Sequence, residues 1–178
     1  MKNLLLISYF FPPHGGAGVL RPLETVRLLA PLGWRSLVVA GPPDGYWFRD
    51  PDLLGRVPEG TEVRRTRAWS GPRMIGGKRD KAERPRNEAT IGRWRRVADW
   101  LPLPDVYCGW TPFAIHAAME LARGADCILS TSPPESAHCV AAYVARRTGL
   151  PWVADFRDPW LRGIYRRYPT KWQENWQS

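Results

Sequence analysis

The chain has 178 residues, a net charge of +9 and a hydrophobic fraction of 44%. That length carries one well-cored domain and is marginal for two, and the composition excludes wholesale disorder. No apolar run approaches the roughly 20 residues that span a bilayer, and Leu4 to Ile7 is too short for a signal-peptide core, so a cytoplasmic location is expected.

An apolar strand is predicted over 3–8, followed by Tyr9-Phe10-Phe11-Pro12-Pro13-His14-Gly15-Gly16-Ala17-Gly18 and a helix over about 19–32. Glycines after a buried strand let the backbone turn tightly, and the first amides of the next helix then face outward as an anion site. An ordinary strand-to-helix turn is the plain alternative. A dinucleotide fingerprint is not met: its third small position is Arg21, and no acid closes the next strand.

Gly33 marks the end of the first helix, strand 35–40 follows, and a Pro/Gly loop covers 41–60. A short strand is predicted around 62–64. Between Arg64 and Arg96 stand twelve Lys/Arg against three acids (Asp80, Glu83, Glu88), so this one segment holds the whole surplus of nine. A uniformly basic nucleic-acid-binding domain has a different distribution, and no nucleic-acid partner is expected. The helix near 90–101 sets Ile91, Trp94, Val97 and Leu101 on one face and Arg93, Arg95 and Arg96 on the rest. Such a helix suits a core-facing position or an anionic membrane surface. Ten tryptophans would suit an interface or sugar stacking.

After a Pro-rich break at 102–104, a helix covers about 112–123 and a strand 126–130. A turn at Ser132-Pro133-Pro134-Glu135 opens a helix over about 135–148, with Ser132 as the expected N-cap and His138 one turn in. The last strand, 151–155, runs into Asp155-Phe156-Arg157-Asp158. Charges so close after an apolar strand need pairing or a ligand. An internal Arg157–Asp158 ion pair is one reading and a ligand contact the other. Cys108, Cys127 and Cys139, widely spaced and odd in number, suit free thiols rather than disulfides or zinc.

The alternation predicts an α/β fold, a Rossmann-like parallel sheet with helices on both faces. Its three polar strand ends open on one edge of the sheet, where ligands of such folds gather.

Together Phe11-Pro12-Pro13-His14-Gly15-Gly16-Ala17-Gly18, the helix carrying Arg21, Ser132-Pro133-Pro134-Glu135-Ser136-Ala137-His138 and Pro151-Trp152-Val153-Ala154-Asp155-Phe156-Arg157-Asp158-Pro159-Trp160 resemble the N-terminal domain of family 4-like glycosyltransferases of the two-domain GT-B architecture. The resemblance implies the acceptor-binding half of a retaining, nucleotide-sugar-dependent enzyme that needs no metal and no cofactor, its nucleotide sugar being a substrate. It places donor phosphates near Gly15, Gly16, Ala17 and Gly18. The acceptor, a glycan or lipid-linked saccharide of the cell envelope, would meet His14, Arg21, His138, Asp155, Arg157 and Asp158. It also implies a domain over 1–165, then at 166–178 the start of a helix leading to a donor-binding domain not contained in these residues. Many relatives carry a His directly after the strand corresponding to 126–130, where Ser130 or Ser132 stands here. No catalytic base is therefore carried over. The rival classes are a non-catalytic carbohydrate- or nucleotide-binding module and a basic adaptor at the inner face of the membrane.

Overall fold

The computed structural model describes residues 1–46, 48–69, 105 and 107–158. The expected helix near 90–101, the break at 102–104, most of the basic segment and the 166–178 helix lie outside the described residues.

Among the described residues five strands form one sheet in the order β3-β2-β1-β4-β5. They are β1 (Lys2–Ile7), β2 (Trp34–Ala40), β3 (Glu62–Arg65), β4 (Cys127–Thr131) and β5 (Trp152–Asp155). Every pairing is parallel, and Leu5 of central β1 stands opposite Leu37 of β2 and Ile128 of β4. A strand flanked on both sides and covered on both faces must be apolar throughout. Leu4, Leu5, Leu6 and Ile7 of β1 meet that condition and are buried.

Alternate side chains serve opposite faces. Leu6, Val38 and Ala40 join Phe11 of the following loop and, from α1 (Ala17–Leu29), Val26. Leu5, Ile7, Leu37, Val39 and Ile128 join the cluster containing Ala114, Ala118 and Leu121 of α2 (Thr111–Leu121) and Val140 and Val144 of α3 (Ser136–Thr148). The small residues of α2 let it pack closely on the sheet and on α3. Helices thus lie on both faces, as the alternation predicts.

Element boundaries fall within two residues of the sequence expectation, apart from helix ends that tighten. A 3-10 turn at Ala30–Leu32 finishes α1, closed by Gly33 in the left-handed region at φ 81°. Another, Pro51–Arg56, lies inside the loop expected over 41–60. The three cysteines are free and half-buried, and burial pushes each thiol's pKa up.

Candidate functional site

Chain order runs from β1 outward to β3, then returns to the other side of β1 for β4 and β5. The loops after β1 and β4 therefore diverge, and the crevice between them is the topological switch point where ligands of doubly wound sheets bind. Three expected segments meet there: the glycine loop, the Ser130–His138 turn and the residues after β5.

The loop after β1 stands on aromatic packing. Tyr9 lies 4.4 Å from Tyr107 and 5.3 Å from Trp110, and Phe10 lies 4.9 Å from Tyr46 (ring centroids). The Gly15 amide donates to the Phe48 carbonyl at 2.9 Å and the Asp50 amide to the Pro13 carbonyl at 2.9 Å, which anchors the loop to a neighbouring segment. Arg65, at the end of β3, donates to the Pro12 carbonyl. Gly16 has φ 86° and ψ 175°, a conformation essentially restricted to glycine, and it opens α1 at Ala17. The amides of Ala17 and Gly18, in the first turn, have no intrahelical acceptor and lie at the positive end of the helix dipole. Gly15, by contrast, spends its amide on the Phe48 carbonyl inside the protein.

Arg157 comes to this same helix end. Its Nη2 donates to the Ala17 carbonyl at 3.2 Å and its Nη1 to the Gly18 carbonyl at 3.3 Å. Pro22 explains the second contact. An ordinary residue 22 would donate its N–H to the Gly18 carbonyl, but proline has none, and the guanidinium fills the gap. The expected Arg157–Asp158 alternative is thereby corrected: Arg157 turns to the helix, and the ion pair of this region joins Arg21 to Asp155.

Arg21 Nη1 lies 2.7 Å from Asp155 Oδ1, so the pair ties α1 to the end of β5. The other carboxylate oxygen of Asp155 accepts from Thr131 Oγ1 at 3.0 Å. Both side chains remain partly open to solvent, at 53% and 28%. Asp158 lies on the exposed surface, next to the crevice in sequence.

His138 lies below these groups with 2% of its surface exposed. Its Nδ1 is 2.7 Å from Ser130 Oγ, and Trp152 Nε1 donates to the same hydroxyl at 2.8 Å. The Phe156 ring covers it at 4.2 Å between centroids. Burial pushes the His138 pKa down to about 4, with Asp155 acting in the opposite direction. His14, also expected near the acceptor, is drawn into the interior instead. It is fully buried, with Nε2 2.8 Å from the Pro42 carbonyl, and burial lowers its pKa. Its role on this geometry is to brace the loop.

The expectation that Ser132 caps α3 is corrected. The helix starts at Ser136, whose amide donates to Asp105 Oδ2 at 2.6 Å and whose hydroxyl donates to Asp105 Oδ1 at 2.7 Å. A carboxylate from a distant segment thus occupies the positive end of α3. Of the two helix N-termini beside the crevice, α1 is the one left for an outside anion. Sequence reasoning missed Asp105, Pro22 and Trp152, because each acts through a partner far away in the chain. A groove of about 560 Å³ bordered by His116, Glu120, Arg123 and Leu150 lies at the opposite end of the sheet, away from these groups.

Among solved structures, the chain is similar to UGT2 of Phytolacca americana in complex with UDP-2-fluoro-glucose and pterostilbene, with a TM-score of 0.51 at 14% identity. The match covers 89% of this chain and 31% of that one. The apo form of the same plant protein matches with a TM-score of 0.45 at 14% identity, over 88% and 29% of the two chains. No known family profile and no curated protein matches the sequence. The fold is a Rossmann-like α/β domain of the kind that forms one half of a GT-B structure, and the chain spans less than a third of the neighbour's length.

Proposed function

We propose that this chain is the acceptor-binding half of a nucleotide-sugar-dependent glycosyltransferase of the family 4-like GT-B type, working in the cytoplasm on a cell-envelope or exopolysaccharide glycan. The observation that carries the reading is the convergence at the β1/β4 crevice. One wall offers the amides of Gly16, Ala17 and Gly18 with Arg157 beside them, a site for an anion. The other offers polar groups suited to a sugar, namely the partly exposed Arg21–Asp155 pair.

In this reading the α1 amides and Arg157 stabilise the negative charge that grows on the leaving diphosphate as the glycosidic bond forms. Fixed dipoles do this without reorganising, which is why a rigid glycine turn is useful there. Arg21 and Asp155 hold the acceptor, and the donor-binding surface belongs to a second domain. With half of the cleft supplied from elsewhere, the 178-residue chain alone transfers no sugar.

The test is a titration of the ¹⁵N-labelled chain with UDP-glucose and, separately, inorganic pyrophosphate. Shifts centred on the Gly16, Ala17 and Gly18 amides, weakened in Arg157→Ala, support the reading. An unperturbed crevice under both probes rejects it, and so does sugar transfer by the chain alone above a heat-killed control for the one-half assignment.

The localised charge favours a second reading, a basic adaptor on anionic membranes. Among the described residues no helix is long and apolar enough to cross a membrane.

A further inference from the structure

Arg65, His14 and Arg49 meet at the end of β2 from three different segments. Arg65 closes β3 in register with Ala40, and its Nη2 donates to the Pro12 carbonyl. His14 Nε2 lies 2.8 Å from the Pro42 carbonyl, just past the same strand. Arg49 stands opposite His14 in an antiparallel bridge, and side chains opposite one another in such a pair share one face. Burial, and after it the charge of Arg49, pushes the Arg65 pKa down. Burial lowers the His14 pKa too; the Pro42 carbonyl opposes this, and the charges of Arg65 and Arg49 add to it.

Two positive charges thus lie together without a paired negative one. Arg21, Arg27, Arg35, Arg56 and Arg64 each form an ion pair with a carboxylate, whereas among the described residues Arg49 and Arg65 form none. An exposed arginine needs no partner, because water solvates it. Arg65 is placed differently. It is partly buried, its Nη1 is closed to solvent without an acceptor, and a guanidinium cannot shed its proton to escape. A second cation beside it adds repulsion, and buried, neutral His14 supplies no counter-charge.

We propose that Arg49 and Arg65 form a second oxyanion subsite, on the β2 flank of the glycine loop, that takes a phosphate or carboxylate group of a ligand between the two guanidiniums. An anion there replaces the repulsion of two cations by two charge-assisted attractions, and the guanidinium fork matches both kinds of oxyanion. Arg49 is exposed and Arg65 partly so, which leaves the pair open to solvent. The subsite is distinct from the α1 amides: Arg65 reaches the loop from β3, whereas Arg157 reaches α1 from beyond β5. It stands on these contacts alone. Only its use, to hold an acidic group of the acceptor, rests on the glycosyltransferase reading.

The test is a titration of the ¹⁵N-labelled chain with inorganic phosphate and, separately, glucuronate, at an ionic strength held constant with sodium chloride. Saturable shifts of the Arg49 and Arg65 Nε–H signals are expected in the wild-type chain and equally in Arg157→Ala. Affinity is expected to fall about tenfold or more in Arg49→Gln, which changes an exposed side chain and leaves the fold intact. Arg65→Lys keeps the charge without the fork and weakens binding as well. The tighter probe identifies the group, phosphate a phosphoryl and glucuronate a carboxylate. The absence of a saturable shift with either probe overturns the proposal, as does an affinity unchanged in Arg49→Gln. Shifts confined to the α1 amides and lost in Arg157→Ala also overturn it, and leave the proposed function standing. Shifts at Arg49 and Arg65 with silent α1 amides remove the anion site of that function and leave this subsite.

Discussion

Pro22 and Arg157 complete one hydrogen bond between them: the proline withholds the N–H that the Gly18 carbonyl needs, and the guanidinium supplies a donor at 3.3 Å. A proline inside a helix is ordinarily a defect of about 3 kcal/mol relative to alanine. Here the vacant carbonyl fixes an arginine at the N-terminal end of α1. The two residues must then be energetically coupled. Arg157→Ala in the wild-type background is expected to cost about 1 kcal/mol, the worth of an ordinary hydrogen bond, and clearly less once Pro22→Ala restores the helical N–H. A double-mutant cycle in urea measures this directly, with an expected coupling of about 0.5–1.5 kcal/mol. Additive effects would show that Arg157 is held by something else.

Asp105 plays the corresponding part for α3. Its two oxygens take the Ser136 amide and hydroxyl, and Oδ1 also accepts from the Tyr107 amide at 2.7 Å. Asp105→Ala removes a cap and leaves three donors without their acceptor. The expected loss is about 1–2 kcal/mol in denaturant stability, with Asp105→Asn recovering part of it. Ser132→Ala, the change suggested by reading the turn alone, should be nearly neutral.

The contrast between Asp105 and Ser132 shows which features the sequence carries. Local periodicity names β1, α1 and the βα order correctly, because Leu4 to Ile7 must be apolar wherever a central parallel strand lies. Gly16 is legible for the same reason, since a sharp turn before a helix demands it. The cap on α3, the donor to Gly18 and the Trp152–Ser130 hydrogen bond are long-range pairings. Trp152 reads as an apolar strand residue until β5 is set beside β4, at which point its N–H finds Ser130. His14 misleads in the opposite sense: a histidine beside glycines suggests a ligand contact, but the aromatic packing of Tyr9, Phe10 and Tyr46 draws it inward.

Gly16 serves folding as well as any ligand. At φ 86° and ψ 175° a side chain is strained whatever space surrounds it. Gly16→Ala is expected to cost about 1–3 kcal/mol of stability even in the absence of ligand. Gly33→Ala, also at positive φ but in the more permissive left-handed helical region, should cost less. Chemical denaturation of both variants checks the order. For probing anion contact without this complication Arg157→Ala is the better choice, because its side chain lies on the surface of the helix end.

The basic segment makes a separate prediction. Arg64 pairs with Glu62 and Glu120, and Arg65 with the Pro12 carbonyl, so these two are engaged within the protein. The remaining basic side chains of 64–96 are expected to bring the chain to phosphatidylserine-containing vesicles at low salt, each contributing on the order of 1 kcal/mol. Co-sedimentation should fall at high salt, and a tryptophan blue shift would report insertion of Trp94 and its neighbours. No binding at low salt ends the membrane reading, and binding without a blue shift leaves only its electrostatic half.

Acid should weaken the fold through its buried histidines. Burial lowers the pKa of both His14 and His138, the latter to about 4. In the unfolded chain both take up a proton near their ordinary value of about 6.5. Below that pH the unfolded state binds more protons than the folded one, so stability must fall as pH falls. The stability is complete above about pH 6.5, and the His138 contribution to its loss continues until the folded imidazole itself protonates near pH 4. Urea midpoints compared at pH 7 and pH 5 should therefore drop in the wild-type chain. The drop should shrink in His138→Gln, which keeps a polar group beside Ser130 but has no proton to gain. An unchanged slope in His138→Gln would mean that His138 protonates as readily folded as unfolded, contrary to its burial beneath Phe156.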